Sequence, residues 1–328
     1  MPRISQAILD STFYLYRTEE DAAGGNNFGG TGFLVSYECV YQVDNGRLNN
    51  LVAKHHIYAV TNWHVALRSG CSVIRINTRD GKTKTFPVDP IDWSFVPRGD
   101  DVAVTPLPVD FSELQCNTIG THLFETKEYL DYRVGPGEDV FMVGRFVDHD
   151  GGTTNQPAIR FGNISVMPTA MKIPELSRTR DYYCIDLHSR SGFSGSPVFA
   201  YRTFGQDLEG NDIQKLVNKI TNMEHIFSSD FSPRLSLLGI HCGQFTEEWY
   251  IDNRKRRSGK VKGNGEYIVG MSGMAIVSPA WTIMEALDLP KFQRERAEVD
   301  AERLASDLES NRDRPVLEAS GATNHRAT

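Results

Sequence analysis

The stretch that decides the fold runs from Ser191 to Phe199 and reads Ser-Gly-Phe-Ser-Gly-Ser-Pro-Val-Phe. Its central serine, Ser194, lies between two glycines in a predicted tight turn that leads into an apolar strand. A serine hydroxyl is a weak nucleophile at neutral pH and needs a neighbouring base. Glycines beside such a serine let backbone N–H groups turn toward a developing oxyanion. The pattern is typical of a nucleophilic serine, although a GxSG sequence by itself is also a common turn.

Two further segments carry the base and the carboxylate that such a serine needs. Residues 58–65 form a β-type run that ends at His64, and histidine takes and returns a proton near pH 7. Residues 99–104 place an acid, Asp101, at the start of an apolar strand, and a buried carboxylate fixes the tautomer of an imidazole. Each residue alone also fits a structural role. Together, at three strand ends in the order His, Asp, Ser, they indicate a catalytic set.

The body of the chain is predicted to be β. Short apolar runs alternate with clusters of Gly, Asp, Asn and Pro, which is typical of strands and turns. The predicted strands are Ser11–Tyr16, Gly32–Ser36, His56–Thr61, Ser72–Asn77, Asp101–Pro106, Asp139–Val143, Ile159–Val166, Tyr182–Asp186, Pro197–Ala200, Ser236–His241 and Gly273–Ser278. Strands of this kind favour a barrel or a sandwich. A Rossmann fold is not expected, because no βαβ alternation with GxGxxG is found.

Composition narrows the function classes. The 328 residues are 40% apolar and 23% charged, which is ordinary for a globular protein, and the formal charge of -7 argues against a partner with a nucleic-acid backbone. We expect no membrane partner, because no apolar run is long enough to span a bilayer. Five scattered cysteines without CxxC predict reduced thiols, with neither a disulfide framework nor a metal site. The N-terminus has no apolar h-region, so we predict a cytoplasmic protein without a secretory signal.

Three segments interrupt the β pattern. Residues 201–235 are polar, with a short helix or a surface loop predicted around Asp212–Ile220. Residues 249–266 hold the run Arg254-Lys255-Arg256-Arg257; we predict a solvated hairpin tip there, with a nucleic-acid or acidic-partner contact as the alternative. After these, Ala280–Leu287 predicts a helix and Pro290 a break. A charged, solvated helix over 291–311 and a disordered end over 312–328 complete the chain.

Several segments resemble the chymotrypsin-like (trypsin-like) serine proteases, and in particular bacterial trypsin-like peptidase domains. The matching motifs are T-A-x-H-V/C at Thr61–Val65, D-[IV]-A-[VL] at Asp101–Val104, G-[DN]-S-G-[GS]-P at Gly192–Pro197 and the G-S/T-G-F-[LIV] hairpin at Gly29–Val35. Leu238–Gly243 and Gly273–Val277 resemble the strands that line the specificity pocket. The order His, Asp, Ser is also that of the chymotrypsin-like fold. The match covers roughly residues 10–288.

The resemblance implies an all-β fold of two antiparallel Greek-key β-barrels, followed by a C-terminal helix and a charged tail. The expected domains are an N-terminal barrel at 8–116 with His64 and Asp101, and a C-terminal barrel at 117–288 with Ser194. A charged, partly disordered tail is expected at 289–328. The active site is expected in the cleft between the barrels, with no metal and no cofactor.

The resemblance also assigns roles. It implies a serine endopeptidase that hydrolyses protein or peptide substrates through an acyl-enzyme. Ser194 is the expected nucleophile, His64 the general acid and base, and Asp101 its orienter. The backbone N–H groups of Gly192 and Ser194 form the expected oxyanion hole. Asp100 is the rival for the orienting role, and the spacing to the following strand favours Asp101.

The expected substrate pocket comprises His188, His241, Gly243 and Gly273. His188 is six residues before the nucleophile, where trypsin-type members place an aspartate, so cleavage after Lys or Arg is not expected. His241 is where glutamyl endopeptidases place a histidine against an acidic side chain, which favours Glu or Asp at the cleavage site. The alternative is that His241 is a packed strand residue.

Two departures from the family pattern bear on activity. Phe193 replaces the aspartate that secreted members pair with a new N-terminus, so activation by zymogen cleavage is not expected. Neither Cys39 nor Cys71 lies where the family places a disulfide near the histidine, which fits a reducing compartment. Two alternatives to a constitutive enzyme therefore stay open. One is a protease-fold binding module, and the other is an effector gated by a regulatory protein partner.

Overall fold

The computed structural model describes residues 3–44, 49–97, 100–130, 134–146, 151–172, 179–187, 192–201, 235–250 and 267–312. The chain divides into two compact units, Met1–Leu287 and Asp288–Thr328. The helix predicted at 212–220, most of the segment predicted as a basic hairpin tip and the tail beyond residue 312 lie outside the described residues.

Strands dominate the first unit. Their bounds are β1 Thr12–Tyr16, β2 Phe28–Asp44, β3 Asn49–Thr61, β4 Val73–Asn77, β5 Thr83–Pro87, β6 Ala103–Pro106, β7 Ile119–Gly120, β8 Asp139–Gly144, β9 Ala158–Lys172, β10 Thr179–Asp186, β11 Pro197–Tyr201, β12 Leu235–Tyr250 and β13 Tyr267–Pro279. Each of the eleven predicted strands overlaps one of these. Strands β5 and β7 were not predicted. The all-β prediction with two antiparallel sheets is confirmed.

The N-terminal sheet carries His64 and Asp101. Its strand order is β5-β4-β1-β2-β3-β6, with antiparallel pairs throughout, and β7 adds to β2 in parallel. Among the described residues the hydrogen-bonded path ends at β5 and β6, so this sheet is not closed by backbone hydrogen bonds as a predicted barrel would be. Apolar side chains such as Phe13, Leu34 and Ile74 form its core. This core holds β3 and β6 side by side, with Thr61 opposite Ala103.

The C-terminal sheet is a closed barrel that carries Ser194. Its six strands follow the order β10-β13-β12-β11-β8-β9. The barrel core includes Met142, Tyr183, Leu238 and Val277, none of which exposes measurable surface. Ser194 lies directly before β11, in the middle of this sheet, so a rigid element follows the turn that bears it.

Helices are few. Two short ones, α1 Gln6–Leu9 and α2 Glu19–Gly24, flank β1. Helix α3, Ala280–Leu287, follows β13 with the bounds that the sequence predicts, and α4, Pro290–Arg312, begins at the predicted break. None of the helices within the described ranges is both long and apolar enough to cross a membrane.

Strands β12 and β13 pair as far as Tyr250 and Tyr267. Strand β12 therefore extends two residues into the segment 249–266, which the sequence predicts to be a hairpin tip. Toward this end the ribbon exposes large apolar side chains: Trp249, Tyr267, Ile268, Val269 and Met271 are each about half exposed. Trp249 and Ile268 are a cross-strand pair and share one face. The two flanking residues of β13, at 267 and 269, point to the other face.

Candidate active site

His64 and Asp101 meet because their strands pair. His64 begins a single turn of π-helix, His64–Arg68, just after β3, and Asp101 lies just before the antiparallel strand β6. One carboxylate oxygen, Oδ1, accepts the backbone N–H of His64 at 2.8 Å, and the other, Oδ2, hydrogen-bonds to His64 Nδ1. Asp101 is 2% exposed and His64 is 26% exposed. A buried carboxylate therefore holds an imidazole that still reaches the surface.

The backbone of the acid is held as well. The side-chain amide of Asn62 donates to the carbonyl oxygen of Asp101 at 2.8 Å, and both residues are buried. With Nδ1 bound to the carboxylate, Nε2 is the imidazole nitrogen that remains to exchange a proton. The residues between β3 and the π-turn thus fix both the ring and its partner.

Asp100, the rival acid, faces the other sheet. Burial raises the pKa of Asp100 from its ordinary 3.8 to about 6, although the charge of Arg180 and a hydrogen bond from Tyr182 both lower it. Glu285 on α3 and Asp181 add repulsion that raises this pKa. The structure therefore sets Asp101, and not Asp100, against His64.

The Asp100 carboxyl makes stability depend on pH. Since its folded-state pKa lies above its unfolded value, the folded protein binds the proton more tightly, and the free energy of unfolding falls as pH rises from about 4 to about 6. We expect Asp100→Asn to raise the free energy of unfolding by roughly 2 kcal/mol at about pH 8 and to change it little below about pH 4. Urea unfolding at the two pH values measures this.

The exposed Asp110 provides the control for that comparison. Hydrogen bonds from Ser112 lower the pKa of Asp110, so Asp110→Asn should not raise stability at the higher pH. A pH dependence that is the same in Asp100→Asn and in the unmodified chain would rule out Asp100 as its source.

Ser194 lies in a turn that only glycine permits at two points. Gly192 has φ 98° and Gly195 has φ 86°, both in the left-handed region. The carbonyl oxygen of Ser194 accepts the backbone N–H of Thr31 on β2 at 2.8 Å. The serine is itself partly exposed. The turn is therefore bound to the N-terminal sheet while Ser194 remains partly exposed.

Gly30 brings the serine turn next to the histidine. A Cβ built on Gly30 would lie 2.9 Å from both the Ser194 carbonyl oxygen and Val65 Cγ2. Val65 adjoins His64, so the absence of a side chain at Gly30 lets the serine turn and the residue next to His64 both pack against the same face of β2. The hydrogen bonds among the described residues join His64 to Asp101 and the serine turn to β2 and β12; a bond from Ser194 to His64 is not among them.

Phe193, the departure from the family pattern, is buried. Its ring exposes no surface and belongs to the core of the C-terminal barrel. Gly144 leaves room for it, because a Cβ there would lie 2.8 Å from Phe193 Cδ1. Burying a phenylalanine side chain stabilises a fold by about 2–3 kcal/mol. The turn is thus anchored by apolar packing where the family uses a carboxylate.

The structure describes three of the four predicted pocket residues, and each has a different environment. His241 is 2% exposed, and burial lowers its pKa to about 4, with a smaller contribution from the nearby charge of His64. Gly243 opens on space, since a Cβ there would meet no atom within 4 Å. The Gly273 carbonyl accepts the N–H of Leu187 at 2.9 Å, and His188 lies outside the described residues. His241 is therefore a neutral, packed imidazole at neutral pH.

The sequence did not predict the residues that support the serine turn and Asp101 through hydrogen bonds to their backbone. Thr31 stands inside the quoted Gly29–Val35 motif but had no assigned role, and the same is true of Thr61 and Asn62 beside His64. The Thr61 hydroxyl donates to the Thr31 carbonyl at 2.8 Å across the β2–β3 pair. The signal available in the sequence was the threonine between two glycines, but its partners Gly192, Ser194 and Arg145 are more than a hundred residues away.

Comparison with known proteins adds three similar folds at low identity. No family model and no curated protein matches the sequence. The MamO protease domain from Magnetospirillum magneticum is 13% identical, with 86% of this chain and 98% of that one covered at a TM-score of 0.46.

The inactive form of the Rv3671c protease of M. tuberculosis is 17% identical. The match covers 86% of this chain and 89% of that one, at a TM-score of 0.41. AlgW, an HtrA-type protease solved with a decapeptide, is 15% identical. The match covers 86% of this chain and 66% of that one, at a TM-score of 0.38.

The chain thus has one antiparallel sheet that ends beside His64 and Asp101 and a closed six-stranded barrel that bears Ser194. This two-sheet, all-β architecture agrees with the fold class that the resemblance to chymotrypsin-like serine proteases implies.

Proposed function

We propose that the protein is a serine endopeptidase that hydrolyses peptide bonds through Ser194, His64 and Asp101. The observation that carries the proposal is the two-point contact of Asp101 with His64, through the backbone N–H and through Nδ1. A carboxylate placed in this way fixes the imidazole tautomer and stabilises the imidazolium that forms during acyl transfer. A histidine with a merely structural role has no need of both contacts.

The proposed reaction has two halves. Ser194 Oγ attacks the carbonyl carbon of the scissile bond while His64 Nε2 takes the hydroxyl proton, and a tetrahedral oxyanion forms. The C–N bond then breaks, and the leaving amine takes that proton from His64. Water repeats the sequence on the acyl-enzyme: His64 accepts its proton, the acid product leaves, and the proton returns to Ser194 Oγ.

We assign the stabilisation of the oxyanion, in both halves of the reaction, to hydrogen bonds from the backbone N–H groups of Gly192 and Ser194. Among the hydrogen bonds of the described residues, neither N–H has an acceptor. Removing one such donor from a protease of this kind costs about 100- to 1,000-fold in kcat. The turn geometry set by the two left-handed glycines supports this assignment.

A fluorophosphonate probe tests the proposal without knowledge of the substrate. We expect the purified chain to be labelled and Ser194→Ala to lose labelling entirely, because the probe reacts only with an activated serine hydroxyl. Ser196→Ala is the matched control, since Ser196 lies two residues away, is buried and has no assigned role. Equal labelling of the Ser194→Ala variant would contradict the proposal.

The alternative function is a protease-fold binding module or a partner-gated effector with little intrinsic activity. The observation that favours it is the exposed apolar side chains on both faces of the β12–β13 ribbon, beyond the barrel. Exposed apolar surface of this kind often marks a contact with another protein. Absence of labelling in the purified chain, followed by labelling when a cell lysate is added, would support the gated effector.

A further inference from the structure

We propose that Thr31 and His241 are positioning residues that set the oxyanion turn from its carbonyl side, an inference that rests on the proposed function. Three successive carbonyl groups, those of Gly192, Phe193 and Ser194, each accept a hydrogen bond from one of these two residues. The turn is thereby held from behind, on the side opposite to its N–H groups.

Thr31 uses all three of its polar groups. Its backbone N–H donates to the Ser194 carbonyl at 2.8 Å, and its hydroxyl donates to the Gly192 carbonyl at 2.7 Å. The hydroxyl also accepts the backbone N–H of Arg145 at 3.0 Å, which directs its proton to Gly192. Its own carbonyl accepts the Thr61 hydroxyl. Thr31 exposes no surface, so these bonds are sheltered from water.

His241 holds the central carbonyl. Its Nδ1 lies 3.1 Å from the Phe193 carbonyl oxygen, and since a carbonyl can only accept, the tautomer with its proton on Nδ1 makes this hydrogen bond; the ring's other backbone partner is Gly243. The backbone of His241 pairs with the same turn, because its carbonyl accepts the N–H of Gly195 and its N–H donates to the carbonyl of Ser196. His241 is therefore attached to the turn at three points.

Peptide planarity turns these contacts into an orientation of the catalytic donors. In a trans peptide the C=O and the N–H point in opposite directions. Fixing the Phe193 carbonyl therefore fixes the direction of the Ser194 N–H, one of the two assigned oxyanion donors. Fixing the Gly192 carbonyl holds the preceding peptide, Gly192–Phe193, so that Gly192 keeps its left-handed conformation.

The positioning contacts explain how the turn is held without an acid before the serine. Phe193 places a ring in the barrel core, and neutral hydrogen bonds from Thr31 and His241 hold the backbone. Burial lowers the pKa of His241 to about 4, so its hydrogen bond with the Phe193 carbonyl joins uncharged groups at neutral pH. No ion pair or new N-terminus is needed, and the turn is formed in the intact chain.

The first test compares Thr31→Val with Thr31→Ser. Valine keeps the shape and the backbone N–H but removes the hydroxyl. We therefore expect kcat for the hydrolysis of fluorescently labelled casein to fall about 10- to 100-fold, with KM nearly unchanged. Serine restores the hydroxyl and should recover most of kcat. Thermal unfolding of both variants checks that they are folded. Equal kcat in the two variants would overturn the role of Thr31.

The second test separates positioning from substrate recognition at His241. For His241→Leu we expect a similar fall of kcat on peptides with Glu, Leu or Lys before the scissile bond. His241→Gln, whose amide can donate to the Phe193 carbonyl, should recover part of the rate. A loss confined to Glu peptides and expressed in KM would instead make His241 a specificity residue and overturn the proposal.

A crystal structure of Thr31→Val keeps this inference distinct from the proposed function. If wild-type protein is neither labelled nor active, the proposed function fails, but the direction of the Gly192 carbonyl, to which the Thr31 hydroxyl donates, still decides the role of Thr31. We expect the Gly192–Phe193 peptide to rotate or to become disordered when the hydroxyl is removed. An unchanged turn would contradict the inference.

Discussion

Replacing Asp101 with asparagine should lower the rate of fluorophosphonate labelling and of casein hydrolysis about 10,000-fold without unfolding the protein. Asparagine has the same shape, and its oxygen can still accept the backbone N–H of His64. Its amide nitrogen would face His64 Nδ1 and offer a donor where the carboxylate accepts. The ring would then carry its proton on Nε2 and could not take a proton from Ser194.

Asp100→Asn is the matched control for this prediction, since it makes the same change one residue away. We expect labelling and hydrolysis within about twofold of the unmodified chain, because Asp100 faces Tyr182 and Arg180 and not His64. A large loss in both variants would point to a shared effect on the loop before β6. A large loss in Asp100→Asn alone would reassign the orienting acid.

The fold was predictable wherever strands are apolar and bounded by turn residues. Strands such as β8 and β11 are buried along most of their length, and they contain the apolar runs from which they were predicted. Strand β5 is not predicted because three of its five residues, Thr83–Pro87, are polar and none of the five is buried. Edge strands often have this character. Strand β7 has only two residues and exists because it pairs with β2, which no local pattern indicates.

The chemistry of the site was predictable to the extent that it lies in short motifs. His64, Asp101 and Ser194 each lie at a strand end next to a recognisable pattern, and the structure brings the first two into contact. The residues that hold the serine turn could not be predicted, because Thr31 and Gly192 are 161 positions apart in the chain. Local sequence patterns carry no information on which distant carbonyl a buried hydroxyl will meet.

His241 illustrates how burial alters an inference from residue type. The resemblance placed it where glutamyl endopeptidases set a histidine against an acidic side chain, and a cationic or hydrogen-bonding imidazole there would favour acidic substrates. In the structure its Nδ1 is bound to the Phe193 carbonyl and its pKa is lowered to about 4, so at neutral pH it is not a cation. Preference for Glu or Asp at the cleavage site therefore stays a prediction, and the contribution of His241 to it would come from hydrogen bonding and not from charge.

Replacing Gly195 with alanine should remove activity and destabilise the first unit by about 3 kcal/mol or more. Gly195 has φ 86°, which alanine adopts only with strain. A Cβ there would lie 2.0 Å from the Thr31 carbonyl oxygen and 2.6 Å from Thr61 Oγ1. Thr31 lies on β2 and Thr61 on β3, so the turn has to move away from the N-terminal sheet.

Gly243→Ala is the control for backbone effects, because its Cβ would meet no atom within 4 Å and its φ is not positive. We expect its melting temperature to stay within about 2 °C of the unmodified chain, whereas Gly195→Ala should lower it by roughly 6–10 °C. Thermal unfolding followed by near-UV circular dichroism measures both. Similar melting temperatures for Gly195→Ala and the unmodified chain, with full labelling, would mean that the turn tolerates displacement. In that case Thr31 would not be needed to hold it, because the attachment of the turn to β2 would not be required for an activated serine.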